Sequence, residues 1–120
     1  MTLFQSQIGA IEEIATKVTS STVAVIVDGT SPDTQAWLVP WMQVNENAGS
    51  TPNLTVELYD GTSSYYLGSG GSSWVAKAVS AKQSVEFTDV VVPSGWKLRV
   101  TSSDAAGKFD VVGTKTRRVR

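Results

Sequence analysis

The stretch from Leu54 to Gly68, LTVELYDGTSSYYLG, constrains the fold of this chain more than any other. Leu54, Val56 and Leu58 alternate with Thr55, Glu57 and Tyr59, the period-2 pattern of a strand with one buried face. Asp60-Gly61 follows, and glycine accepts the positive φ that a tight reversal requires. Ser64 to Leu67 then runs back with two adjacent tyrosines, completing a β-hairpin.

Much of the chain repeats this grammar. TVAVIV from Thr22 is nearly continuous apolar and β-branched, which predicts a central strand covered on both faces. Gln35 to Val44 reads as a strand interrupted by Pro40, and a proline there means an edge, a bulge or a bend. Residues 68–73 (GSGGSS) read as a flexible tip, and Trp74 to Val79 as a strand with Trp74, Ala76 and Ala78 on one face. Gln83 to Val92 alternates Val85 and Phe87 against polar neighbours. In WKLRVT, Trp96, Leu98 and Val100 fall inward and Lys97, Arg99 and Thr101 outward. Phe109 to Thr114 closes the series. About eight short strands with regular turn signals predict an all-β fold, a single antiparallel β-sandwich or jelly-roll-like domain over residues 19–114.

Two ends flank it. Phe4, Ile8, Ile11, Ala15 and Val18 are spaced by four, three, four and three, which predicts a short helical arm over residues 1–18 with an apolar stripe. That stripe either closes the end of the sandwich or packs on another subunit. Residues 115–120 (KTRRVR) read as a basic tail. Residues 97–120 hold seven basic and two acidic groups, net +5, and residues 1–96 three basic and nine acidic, net −6. Such a chain can dock on copies of itself or bridge unlike neighbours; the alternative for the tail is simple solvation.

Composition narrows the function. The chain holds no cysteine and no histidine. Disulfides, thiolate chemistry, Cys/His zinc sites and catalytic triads are therefore excluded, and the expectation is a protein that is not an enzyme and uses no cofactor. No window approaches the roughly 20 apolar residues of a membrane span. Glu12 and Glu13 fall where a signal peptide would be apolar, so the expected place of synthesis is a cytoplasm.

Other candidate sites weigh little. Asp28, Asp33 and Asp60 match no calcium-binding loop and suit turns. Asn53-Leu54-Thr55 matches a glycosylation sequon but opens a strand. Trp74 and Trp96 sit in phase with core residues, whereas Tyr65 and Tyr66 point to opposite faces and suit glycan or protein contact. The tail has no nucleic-acid-binding motif around it, and an acidic protein neighbour is the favoured partner.

VELYDGTSSYYLG, VVPSGWKLRVTSS and FDVVGT, within residues 50–114, resemble the small β-sandwich virion proteins of tailed bacteriophages. The resemblance implies a structural protein without catalytic residues: a capsid decoration (cement) protein, or else a neck, connector or tail ring protein. The implied partners are the major capsid protein, neck or tail proteins and further copies of the chain, with a trimer among the possible oligomers. Neither a membrane nor nucleic acid is among them. The implied location is the virion. Outside the resemblance, the residues themselves point to contacts through Phe4, Ile8 and Ile11 of the arm, Tyr65 and Tyr66, and Lys115, Arg117, Arg118 and Arg120 of the tail. A carbohydrate- or receptor-binding module using the tyrosines is the alternative from a different class.

Overall fold

A computed structural model of the 120-residue chain describes residues 8–19, 23–30, 36–102 and 108–118. Among these residues there are eleven strands: β1 (Ile8–Thr19), β2 (Val23–Asp28), β3 (Trp37–Glu46), β4 (Asn53–Tyr59), β5 (Ser64–Tyr66), β6 (Gly68–Ser69), β7 (Ser72–Ser73), β8 (Lys77–Ala78), β9 (Ser84–Val92), β10 (Lys97–Ser102) and β11 (Lys108–Arg118). They form one sheet in the order β1-β11-β3-β9 and another in the order β2-β10-β4-β5, with β8 also on β4 and β6–β7 as a separate ribbon. Every pairing is antiparallel. The first and last strands are neighbours and the chain passes repeatedly between the sheets, the interleaving of a jelly roll.

The inner faces close on one core. Ile14, Val18, Val39, Met42, Val44, Phe87, Val92, Phe109 and Val111 of the four-stranded sheet meet Val27, Leu54, Val56, Leu98 and Val100 of the other. The hairpin follows its sequence pattern: Leu54 and Val56 are fully buried, and Tyr59 pairs with Ser64 across the turn. Asp60 fixes that turn by accepting hydrogen bonds from the backbone N–H groups of Thr62 (2.8 Å) and Ser63 (2.7 Å).

Several expectations are corrected. Residues 8–19 form strand β1, not a helical arm; Thr16 lies between the buried Ile14 and Val18, and pairing with β11 satisfies the backbone groups on one side along this length. The three-four spacing therefore describes no common face: Ile11 is 72% exposed and Val18 is buried. Residues 115–118 are not a tail but the end of β11. TVAVIV supplies an edge strand, not a central one, because Ile26 is an extra residue against β10 that puts Ile26 and Val27 both inside and leaves Val23 and Val25 exposed. Between Trp74 and Val79 only Lys77 and Ala78 pair as a strand, since Ala76 turns into the left-handed region (φ 47°). The glycine-rich tip is the β6–β7 hairpin, reversed at Gly70-Gly71. Trp74 is core, but Trp96 is only half-buried.

Pro40 reconciles its sequence signals through a bulge. β3 lies inside its sheet, yet Thr114 pairs with Trp41 and Thr116 with Leu38, so two β3 residues oppose Lys115 alone. On the other side, Pro40 lies opposite Asp89, whose φ is +54°. Both β3 and β9 change face there while keeping mutual register: Val39 and Met42 are buried, and Trp41 is turned out.

Candidate assembly surface

That bulge builds the most prominent surface feature. Strict alternation would send Trp37, Val39 and Trp41 inward together; the extra residue sends Trp41 to the outer face. Ile11, Thr116, Leu38 and Val91 lie in register across all four strands, with Thr114 beside Trp41 in the next row. Ile11 is 72% exposed, Val91 53% and Trp41 36%, and Leu38 is half-buried. Thr116 is buried although it sits on the outer face. The result is an apolar band across the sheet, at the end where β1 begins and β11 finishes. Lines of exposed apolar side chains of this kind mark contact surfaces.

Farther along the same face the character changes. Lys17 donates to Asp110 Oδ1 (3.0 Å), and Asn47 Nδ2 donates to Asp110 Oδ2 (2.8 Å). A shallow depression lined by Ala15, Lys17, Asn45, Asp110 and Val112 lies there. An exposed ion pair of this type contributes little to stability.

On the outer face of the other sheet, the exposed Val23 and Val25 of β2 lie beside an ion pair of β10 and β4. Arg99 donates to Glu57 Oε1 (2.8 Å), and its guanidinium lies 3.8 Å from the Tyr59 ring centroid. Tyr65 and Tyr66, half-exposed, occupy opposite faces of β5 as their alternation requires. Tyr65 stacks on Trp96 with ring centroids 5.2 Å apart and donates from its hydroxyl to Asp60 Oδ2 (3.3 Å). The Ser63 and Thr62 amides and the Tyr65 hydroxyl hold the Asp60 carboxyl below the usual carboxylate range. Thr30 does the same for Asp28 through its hydroxyl and backbone N–H. Each aspartate thus closes its own turn, and among the described residues no group of three carboxylates could hold a metal ion.

The remaining sequence-predicted contact residues are dispersed. Lys115 Nζ lies 4.7 Å, and the Arg117 guanidinium carbon 5.7 Å, from the Trp37 ring centroid, so both cations cap a core tryptophan. Ile8 and Arg118 pair in register between β1 and β11. Phe4 and Arg120 lie outside the described residues. Among the described side chains, only Ile11 of these belongs to the apolar band. Leu38, Trp41 and Val91 were missed by sequence reasoning, and the one available signal was Pro40, whose bulge reverses the alternation before Trp41.

No protein-family model matches the chain, and no curated protein is significantly similar to it. Among solved structures, the chain is similar to a subunit from Bacillus endospore appendages, described as forming a novel family of disulfide-linked pili. The TM-score is 0.57 at 16% identity, covering 95% of this chain and 92% of that one. A second similarity is to the capsid asymmetric unit of cyanophage Pam1, with a TM-score of 0.42 at 14% identity over 90% and 83% of the two chains. The first likeness is one of fold.

Proposed function

We propose that this chain is a non-catalytic structural subunit of a bacteriophage virion, a capsid decoration (cement) protein that docks on the shell and on further copies of itself. The observation that carries the reading is the apolar band of Ile11, Leu38, Trp41 and Val91, which crosses all four strands at one end of the outer face and includes Trp41 turned out by the bulge. The absence of histidine and cysteine supports it by removing the commonest catalytic groups. The resemblance of LYDGTSSYYLG, GWKLRVT and FDVVGT to phage virion proteins supplies the virion context. Many copies, each held by a modest contact, would reinforce a shell through multivalency.

Trp41→Glu and Ile11→Glu are expected to abolish assembly while leaving the fold intact, because both side chains reach solvent. An interface tryptophan contributes on the order of 2 kcal/mol or more, so binding to the assembled particle should weaken at least about 30-fold. Light scattering and co-sedimentation with particles, beside a thermal melt, check this. Turnover on a hydrolase panel that a carboxylate substitution abolishes would sink the reading. Copy number per particle separates decoration from a neck or tail ring, since decoration subunits are far more numerous.

A second reading, a filament subunit, is favoured by the fold likeness to a pilus-forming protein over nearly the whole chain. With no cysteine, any filament of this chain would lack disulfide links. Electron microscopy of the purified protein distinguishes the two: filaments formed by the protein alone favour this reading, and decoration only of a preformed shell favours the first. Glycan binding abolished by Tyr65→Ala and Tyr66→Ala would instead make the tyrosines a receptor site.

A further inference from the structure

We propose that the edge of β1 facing away from β11 docks a second copy of the chain, the two β1 strands pairing antiparallel about a two-fold axis at Ala15. The inference deepens the assembly reading above and rests on it, and it names the contact between copies.

Among the described residues five strands end the two sheets, and four are poorly suited to pairing, the two-residue β8 among them. β2 has six residues and is bulged at Ile26. β5 has three residues. β9 carries the like charges Glu86 and Asp89 and is distorted at Asp89, and the Ser69 hydroxyl already donates to its Glu86 carbonyl (2.5 Å). β1 differs. It has twelve residues, and among the described residues only β11 pairs with it. Its register shift lies between Ile8 and Ile11, which leaves the nine residues from Ile11 to Thr19 in unbroken register.

The side chains of that segment complement themselves under a two-fold rotation. Glu13 and Lys17 share the outer face and are equally spaced about Ala15. An axis at Ala15 therefore places each Glu13 opposite the partner's Lys17, twice per dimer, with Ile11 opposite the partner's Thr19 and alanine at the centre. Opposite charges directly across antiparallel strands attract, and like charges repel. Backbone parity agrees. Along an edge, the N–H and C=O groups facing outward belong to alternate residues, so only residues of the same parity can exchange hydrogen bonds across the axis. Residues 13 and 17 satisfy this condition.

The contact also continues a row already present. Lys17 bonds Asp110 on β11, yet its side chain is 78% exposed, so it can meet a second carboxylate with little desolvation. The row would run Asp110, Lys17, the partner's Glu13, the partner's Thr114. Charged residues also guard edges against unwanted pairing. What separates β1 from a guarded edge is that its charges match when it meets itself.

The test uses full-length wild type, Glu13→Lys and Lys17→Glu, each examined by sedimentation and light scattering alone and as an equal mixture. Alone, each variant sets like charges opposite one another twice. In the mixture, the introduced lysine of one variant faces the introduced glutamate of the other. The native Lys17 of the first then faces the native Glu13 of the second, and attraction returns at both positions. The expected result is a wild-type mass twice that of either variant alone, restored in the mixture. A variant that keeps the wild-type mass, or a mixture that stays dissociated, would overturn the proposal. Circular dichroism melts confirm folding; if Lys17→Glu fails to fold beside Asp110, Lys17→Glu combined with Asp110→Asn replaces it. A wild-type monomer that still decorates particles overturns β1 pairing and leaves the decoration reading standing.

Discussion

Replacing Gly113 with alanine is expected to destabilise the protein by about 3 kcal/mol or more, and replacing it with valine by more still. Gly113 lies in β11, between β1 and β3, and pairs with Met42. A Cβ built there would run into the Trp41 carbonyl oxygen and sit 2.9 Å from the Met42 Cα. Both are backbone atoms of a paired strand, so no side chain can swing aside to relieve the clash. The close approach coincides with the bulge that turns Trp41 outward. Glycine here lets β3 come near where its extra residue must be absorbed. The substitution should therefore also disturb the apolar band and weaken assembly in any protein that still folds. Urea unfolding of Gly113→Ala beside Thr114→Val, expected within about 1 kcal/mol of wild type, checks this. Equal stabilities for the two variants would mean that β3 and β11 do not approach closely at the bulge.

The same bulge explains why the fold was more legible than its surface. Alternation is a local signal, and it located Leu54, Val56, Leu98, Val100, Val85 and Phe87 in the core because none of those segments itself carries an extra residue between them. It failed wherever one extra residue reverses the faces, as at Ile26 and Pro40. Proline announced an irregularity at residue 40 but not which neighbour would be exposed by it. β1 was missed for a different reason. Its apolar residues match a helical spacing as well as a strand's, and the choice is made by β11, about ninety residues or more away in sequence. The basic C-terminal residues read as a solvated tail because nothing local reveals that Trp37 lies beneath Lys115 and Arg117. The candidate surface gathers residues from β1, β3, β9 and β11, so its composition depends on strand order, which pattern alone does not supply.

Glu46→Gln should cost about 2–4 kcal/mol at neutral pH, and the loss should fade in acid. Glu46 ends β3 and is 2% exposed. Its carboxylate accepts hydrogen bonds from the backbone N–H groups of Ala48 (2.8 Å), Gly49 (2.8 Å) and Lys82 (3.0 Å) and from the Ser50 hydroxyl (3.3 Å). One side chain thus ties the β3–β4 loop to the turn before β9. Burial by itself would raise the carboxyl's pKa, but these donors outweigh it and lower the value from 4.5 to about 2. A carboxyl whose folded pKa is depressed stabilises the fold fully above its unfolded value and loses that contribution as the pH falls through the folded value. From the two values the contribution is about 3 kcal/mol, present above pH 4.5 and lost as the pH approaches 2. Glutamine keeps the shape but turns an amide N–H₂ toward donors that need an acceptor, leaving at least one buried N–H unpaired. The stability gap between wild type and Glu46→Gln, measured by urea unfolding, should be widest above about pH 5 and narrow steadily toward about pH 2. A gap independent of pH would mean that the glutamate's charge contributes nothing and that the loop is held by packing alone.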